Sequence, residues 1–245
     1  MHKLFFTALL GLGLNAQADT LSEFKSTLQR LQADSPLKGQ ISVKSEVRSN
    51  EGKDDAETEQ GLAALPFEDG QPGLRLQYPQ ALLSKAQSER QARDANPKAA
   101  APTHAGLQLL EYGTVRELTR PAELLARHVQ RGSFKGERSD NWQGKPAKVL
   151  SFELPMGKPN KYVKSFENIL EVWVGPEGQP LAARSRYKLS GRAMMVFSFE
   201  QQGEDEWQFA VVGERLVALR KTSQSSGSGG GEKGVTKRDF TLSLS

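Results

Sequence analysis

The hydrophobic positions of this chain change period several times, and each change marks an element. Leu21, Phe24, Leu28 and Leu31 share one helical stripe, and Thr20-Leu21-Ser22-Glu23 has the spacing of a capping box. Asp34-Ser35-Pro36 ends that helix. From Leu37 the period becomes two: Leu37, Gly39, Ile41, Val43 and Val47 alternate with polar residues, as in a strand with one wet face. Asn50 to Gln60, acidic and poor in apolar residues, predicts a surface loop. Gly73 to Tyr78 predicts a second strand, ended by Pro79.

Residues 80–131 lose the strand rhythm. Gln80 to Arg93 suits a helix, and the Pro/Ala-rich run from Asn96-Pro97 to Pro102 interrupts it. Leu107 to Leu118 predicts another helix. Pro121 opens a last one, which Gly132 closes, so the segment reads as a helical insert between strands. The two-residue period then returns. Strands are predicted over Ser133–Trp142, around Leu150–Leu154, and over Ile169–Val174, Leu181–Leu189, Ala193–Phe199, Trp207–Val212 and Arg215–Thr222, with a last one ending in Phe240, Leu242 and Leu244. Turns are predicted at Gly175-Pro176-Glu177-Gly178, Ser190-Gly191-Arg192, Gln202–Glu206 and Gly213-Glu214, the last of type II′. Ser223 to Gly234 reads as a flexible Ser/Gly loop. Short strands joined by tight turns pair with their sequence neighbours, so the fold class is α+β, an antiparallel sheet with helices on one face.

Two patterns exceed that plan. Leu170, Val172 and Val174 oppose Ile169 and Trp173, while Met195, Phe197 and Phe199 oppose Met194 and Val196. A strand with one face in water has no use for two apolar faces. Either the insert covers the second face or that face lines an apolar cavity. On the strand between these two, Arg184, Arg186 and Lys188 share one side. They form either a solvated face or a cationic stripe for an anionic headgroup or an acidic partner.

Composition narrows the setting. The chain has 245 residues, is 37% hydrophobic and carries a formal charge of +4 with both signs interspersed, which argues against nucleic acid. Lys3, the apolar run Leu4–Leu14 and Ala16-Gln17-Ala18 form a secretory signal with cleavage near Ala18. That run is too short to span a membrane. Residues 1–18 are therefore read as signal peptide and 19–245 as one domain with an insert at about 80–131. The chain has no cysteine, so the exported fold rests on its core, and no lipid anchor is expected. No catalytic signature is present: H-E-x-x-H, G-x-S-x-G and Walker spacing are all missing, and His104 and His128 lack partners at ligand spacing. No metal, no cofactor and no enzymatic activity are expected.

The order of elements, with Pro72-Gly73-Leu74-Arg75-Leu76-Gln77-Tyr78-Pro79 and the later hairpin Glu171-Val172-Trp173-Val174-Gly175-Pro176-Glu177-Gly178-Gln179-Pro180-Leu181, resembles the outer-membrane lipoprotein carriers, the LolA/LolB-like superfamily. Leu74 and Leu76 stand where that family carries an aromatic residue and Trp, and the insert 80–131 replaces its next hairpin. The resemblance implies a strongly curved antiparallel sheet, an incomplete half barrel covered by helices and holding acyl chains, with Arg75 helping to hold the lid. The expectation is a non-catalytic periplasmic protein that binds a lipidic or other apolar group, carrier-like for lipid or lipoprotein acyl chains. Its contacts would come from Leu74, Leu76, Phe152, Val172, Met195, Phe197 and Phe199, with Arg75 at the lid and Arg184, Arg186 and Lys188 at a headgroup or partner. The alternative is an envelope protein-interaction or structural module, akin to a stress sensor, with no small ligand.

Overall fold

The alternating segments assemble into one sheet of ten antiparallel strands in the order β3-β2-β1-β10-β9-β8-β7-β6-β5-β4. The computed structural model describes residues 12–50, 53–54, 56–158, 160–193 and 197–245, with side chains from Thr20 onward except Ala193. Helix α1 (Leu12–Arg30) leads into β1 (Leu37–Ser49), β2 (Glu57–Asp69) and the two-residue β3 (Arg75–Leu76). Four helices follow: α2 (Gln80–Ala95), α3 (Pro102–Leu109), α4 (Tyr112–Thr119) and α5 (Pro121–Arg131). The meander then runs through β4 (Ser133–Trp142), β5 (Lys145–Glu153), β6 (Val163–Val174), β7 (Pro180–Ala193), β8 (Phe197–Val212), β9 (Arg215–Gly229) and β10 (Glu232–Leu244). β10 returns to pair along β1, with Ile41 opposite Leu242 and Val43 opposite Phe240. The sheet is open, with edges at β3 and β4.

It is also strongly curved. A flat sheet would set β2 and β5, seven pairings apart, about 34 Å from each other at ~4.8 Å per strand. Yet α5, 11 residues and so ~16 Å long, reaches from Arg120, bonded to Asp69 at the end of β2, to Gly132, which lies against Leu154 just after β5. The inner face is thus a trough, and the helices lie in it: Phe24 and Leu28 of α1 with Leu31 just after it, Val115 and Leu118 of α4, and Leu125 and Val129 of α5 are all buried there. This is the helix-covered open sheet that the family resemblance implies.

Several segments read as loops or turns are strand. Thr58–Gln60, within the acidic run, is the start of β2 and pairs with Glu46–Arg48. Gln202–Glu206 is not a turn but the middle of β8, zipped to β7 and β9 on both sides. Ser190-Gly191-Arg192 likewise lies within β7. The Ser/Gly run pairs in register from Ser223 to Gly229 against β10. Only Gly230-Gly231 turns, both with positive φ (61° and 86°), as a type I′ hairpin requires. In each case two flanking strands supply the backbone partners, and this overrides weak local propensity. Leu107–Leu118 is split into α3 and α4 at Leu110-Glu111. α1 is helical back to Leu12, so Thr20 lies inside the helix rather than at its cap. The start of the expected signal segment, residues 1–11, lies outside the described residues, as does the Met194-Met195-Val196 stretch.

Candidate functional site

The parity of the strands fixes which residues point into the trough. Through the pairings Leu150–Val172, Val172–Ala183, Ala183–Trp207, Trp207–Lys221, Lys221–Phe240 and Phe240–Val43, one row crosses the sheet on its inner face. Most of this row is apolar because the helices cover it. Phe152 and Leu170 form the next row toward the strand ends. Beyond them the same face turns polar at Ser185, Asp205, Ser223 and Arg238. The helices stop covering the sheet there, and the pattern changes with them.

Of the expected ligand contacts, Phe152 and Val172 are fully buried in the trough, and Leu74 and Leu76 pack against its rim. Phe197 and Phe199 lie on the same face but at the uncovered far end of the sheet. Phe199 is paired with Gly191, eight residues along β7 from Ala183, or about 26 Å at ~3.3 Å per residue. Met195 lies outside the described residues. The expected contacts therefore do not converge on one site. Arg75 is exposed and makes no ion pair or side-chain hydrogen bond among the described residues.

The arginines that tie the helices to the sheet are Arg120 and Arg215, which the sequence did not single out. Asp69, at the end of β2, has a fully buried side chain. Its carboxylate accepts hydrogen bonds from Arg120 Nη2 (2.8 Å) and Nε (3.2 Å), and it pairs closely with Arg215 Nη2. Arg215, itself 1% exposed, donates to the carbonyls of Thr119 (3.0 Å) and Ser35 (2.9 Å), while Arg120 also pairs with Asp34 (2.7 Å). Burial alone pushes the Asp69 pKa up, but the hydrogen bonds from Arg120 and the charge of Arg215 hold it below the ordinary carboxylate value. One node thus joins the α1–β1 link, β2, the α4–α5 junction and β9. The one local signal for it is a charge, Arg215, opening the apolar run Leu216–Leu219.

The insert has further ties. Glu89 of α2 caps α3, accepting the N–H groups of Thr103 (2.7 Å) and His104 (3.0 Å). Burial raises its pKa, and these donors outweigh that and lower it. Gly106 of α3 lies directly on the β2 backbone: a Cβ there would sit 2.5 Å from the Leu62 carbonyl carbon.

On the opposite face, the second apolar side of β6 has its own cover. Trp173 packs with Ala147, Val149 and Ala182, with Trp142 leaning on it at 5.5 Å between ring centroids. The guanidinium of Arg184 stacks 5.4 Å from the Trp173 ring, and the indole N–H donates to Asp140 (3.1 Å). Arg184 also pairs with Glu206 (2.6 Å) and Arg186 with Glu171 (2.6 Å), so both cations are engaged within the fold. Lys188 is exposed and opens on a cleft of about 440 Å³ at the far end of the sheet. A larger groove of about 730 Å³ runs across β2, β1, β10, β9 and β8, lined by Lys44, Leu62, Glu204, Glu206 and Lys237. A third cleft, of about 530 Å³, lies between α1 and the β4–β5 and β6–β7 turns. Among the described residues no group of three or more His, Asp or Glu side chains is placed to hold a metal ion. No helix among them is long and apolar enough to cross a membrane.

No protein-family model and no curated protein matches the chain. Among solved structures it is similar to a LolA superfamily protein from Nitrosomonas europaea, with 12% sequence identity over 93% of each chain and a TM-score of 0.27.

Proposed function

We propose that the protein is a non-catalytic periplasmic carrier that holds a lipidic or other apolar group between the trough of its sheet and the helices lying in it. The observation that carries this reading is the way the trough is covered. Its apolar wall is closed largely by side chains of an inserted segment, α4 and α5 with Leu110, which enters and leaves the sheet through β3 and β4 at the two open edges. A segment whose chain joins the sheet at its two edges can move as a unit once the Asp69 node releases it, and an acyl chain can replace the apolar surface it withdraws. The helices are then a lid that fills the site when it is empty.

The test is native mass spectrometry of protein purified from the periplasm, with uptake of a fluorescent fatty acid by the stripped protein. Co-purifying lipid and saturable uptake are expected, together with faster hydrogen exchange in α4 and α5 on loading. A clean apo mass with no uptake refutes the carrier reading. A second reading, a protein-interaction module, is favoured by the 730 Å³ groove, whose Lys44 and Lys237 enter no ion pair among the described residues. In that case the fatty acid leaves exchange in the insert unchanged, and reversing Lys44 and Lys237 abolishes capture of an envelope partner.

A further inference from the structure

At the far end of the sheet, beyond the helices, two aromatic side chains stand in water beside exposed cations. Phe197, the first described residue of β8, is 53% exposed, and Tyr162, just before β6, is 43% exposed. Tyr162 is not a loose loop residue: its carbonyl accepts the N–H of Arg192 (2.9 Å), which straps it to β7. Phe199 supports the same end from within, its ring so close over Gly191 that a Cβ there would lie 2.3 Å from it. Around the two aromatics stand Lys161, whose ammonium lies 5.0 Å from the Tyr162 ring, Lys164 and Arg192, all exposed. None of the three is in an ion pair among the described residues, whereas Arg184 and Arg186, farther up the same strand, are. Glu167 and Glu200 are the acidic residues nearest in sequence on these strand ends. The balance there is positive.

We propose that this end of the sheet docks on an anionic phospholipid bilayer. The strand ends present Tyr162 and Phe197 to the interface, where amphipathic aromatic rings reside. Lys161, Lys164 and Arg192 meet the negative headgroups. The adjoining cleft of about 440 Å³ sets Lys188 and Lys233, with Glu200 the one carboxylate in its lining, beside the hydroxyls of Ser165, Ser190 and Ser226, so that cations outnumber acids there as well. Two rings at the tips of strands make a protrusion rather than a groove, and a stable protein interface needs roughly 800 Å² on each partner. A membrane is the better fit. The inference does not depend on what the trough holds.

Co-sedimentation of the whole protein with vesicles tests it. Binding is expected to phosphatidylglycerol mixed into phosphatidylcholine, falling about tenfold or more on pure phosphatidylcholine or at high salt. The triple reversal Lys161→Glu, Lys164→Glu, Arg192→Glu is expected to lose at least about tenfold, and Phe197→Ser to weaken binding, with unfolding midpoints unchanged because all four side chains are exposed. Phe197→Trp adds a fluorophore whose emission shifts to the blue and is quenched by brominated lipid. Equal binding to neutral and anionic vesicles, a triple variant that binds like the parent, or an unquenched Trp overturns the proposal. So does a protein that ignores both vesicles and instead binds an acidic polypeptide.

Discussion

Replacing Asp69 by Asn keeps the shape of the side chain and removes its charge. Arg215 is then left 1% exposed with two carbonyls and no counter-ion, while Arg120 keeps Asp34, Glu123 and the Gly70 carbonyl. Stripping one partner from a buried pair costs about 3–5 kcal/mol. Against a total stability of about 5–15 kcal/mol that is a large share. For a chain of this length it corresponds to a fall in Tm of about 6–20 °C. Equilibrium denaturation in urea reads it, with the slope unchanged if only stability moves. The double variant Asp69→Leu, Arg215→Met is expected to be more stable than either Asp69→Leu or Arg215→Met alone, because no buried charge is stranded in it. The pH dependence has a definite sign. The folded pKa of Asp69 is depressed, so its stabilisation is complete above the unfolded value near pH ~4 and is lost as pH falls through the lower folded value. The parent should therefore lose stability more steeply than Asp69→Asn below about pH 4. A single substitution costing less than about 1 kcal/mol, or single costs that simply add in the double variant, refutes the claim that this node couples helices to sheet.

Gly106→Ala is expected to destabilise or displace α3 despite the ~1 kcal/mol gain in helix propensity, since the new methyl meets the β2 backbone. Gly113→Ala in α4, with nothing within 4 Å, should instead stabilise by up to about 1 kcal/mol, and paired urea curves separate the two. Trp173→Ala should cost about 3–5 kcal/mol and redden the fluorescence of Trp142, which loses its ring partner. Gly203→Ala should destabilise the far half of the sheet, because its Cβ would fall 2.6 Å from the Tyr187 ring, and Tyr187→Ala in the same chain should relieve the clash; amide exchange in β7 and β8 reports both. His128 is held below the ordinary imidazole pKa by burial and by Arg127 and Arg131. Its neutral form is favoured by folding, so stability falls as pH drops below about 6.5, and His128→Leu should flatten that slope.

What could be read from the sequence was whatever local periodicity controls. The helices over 80–131, the strands from Leu37 and from Ile169, and the Gly213-Glu214 hairpin all follow from spacing within one element. The errors have a common cause. β8 from Gln201 to Glu206 and β9 from Ser223 to Gly229 are polar on both faces, because no helix covers that part of the sheet. Without a buried face there is no alternation, and without alternation a strand looks like a loop. Its stability comes instead from paired neighbours and from rings laid on glycines, Tyr187 over Gly203 and Phe199 over Gly191, which are properties of pairs. The Asp69–Arg120–Arg215 node is hidden for the same reason: its members lie 51 and 146 residues apart.

The surplus of apolar positions on β6 has a physical consequence for any ligand. Its two faces are both covered, one by the helices in the trough and the other by Trp142, Trp173 and the stacked arginines. The trough wall therefore meets protein side chains rather than standing space: Leu110, Val115 and Leu118 are fully buried against it. An acyl chain entering there must displace those side chains, so on the lid reading its apparent affinity scales with the fraction of molecules in which the insert is withdrawn. On that reading, loosening Asp69 raises the fraction while lowering stability. A carrier built this way should bind fatty acid more tightly in the Asp69→Asn variant, up to the point where the fold itself is lost. A passive filler shows only the loss of stability. Opposite signs for affinity and stability in one substitution are what a lid requires.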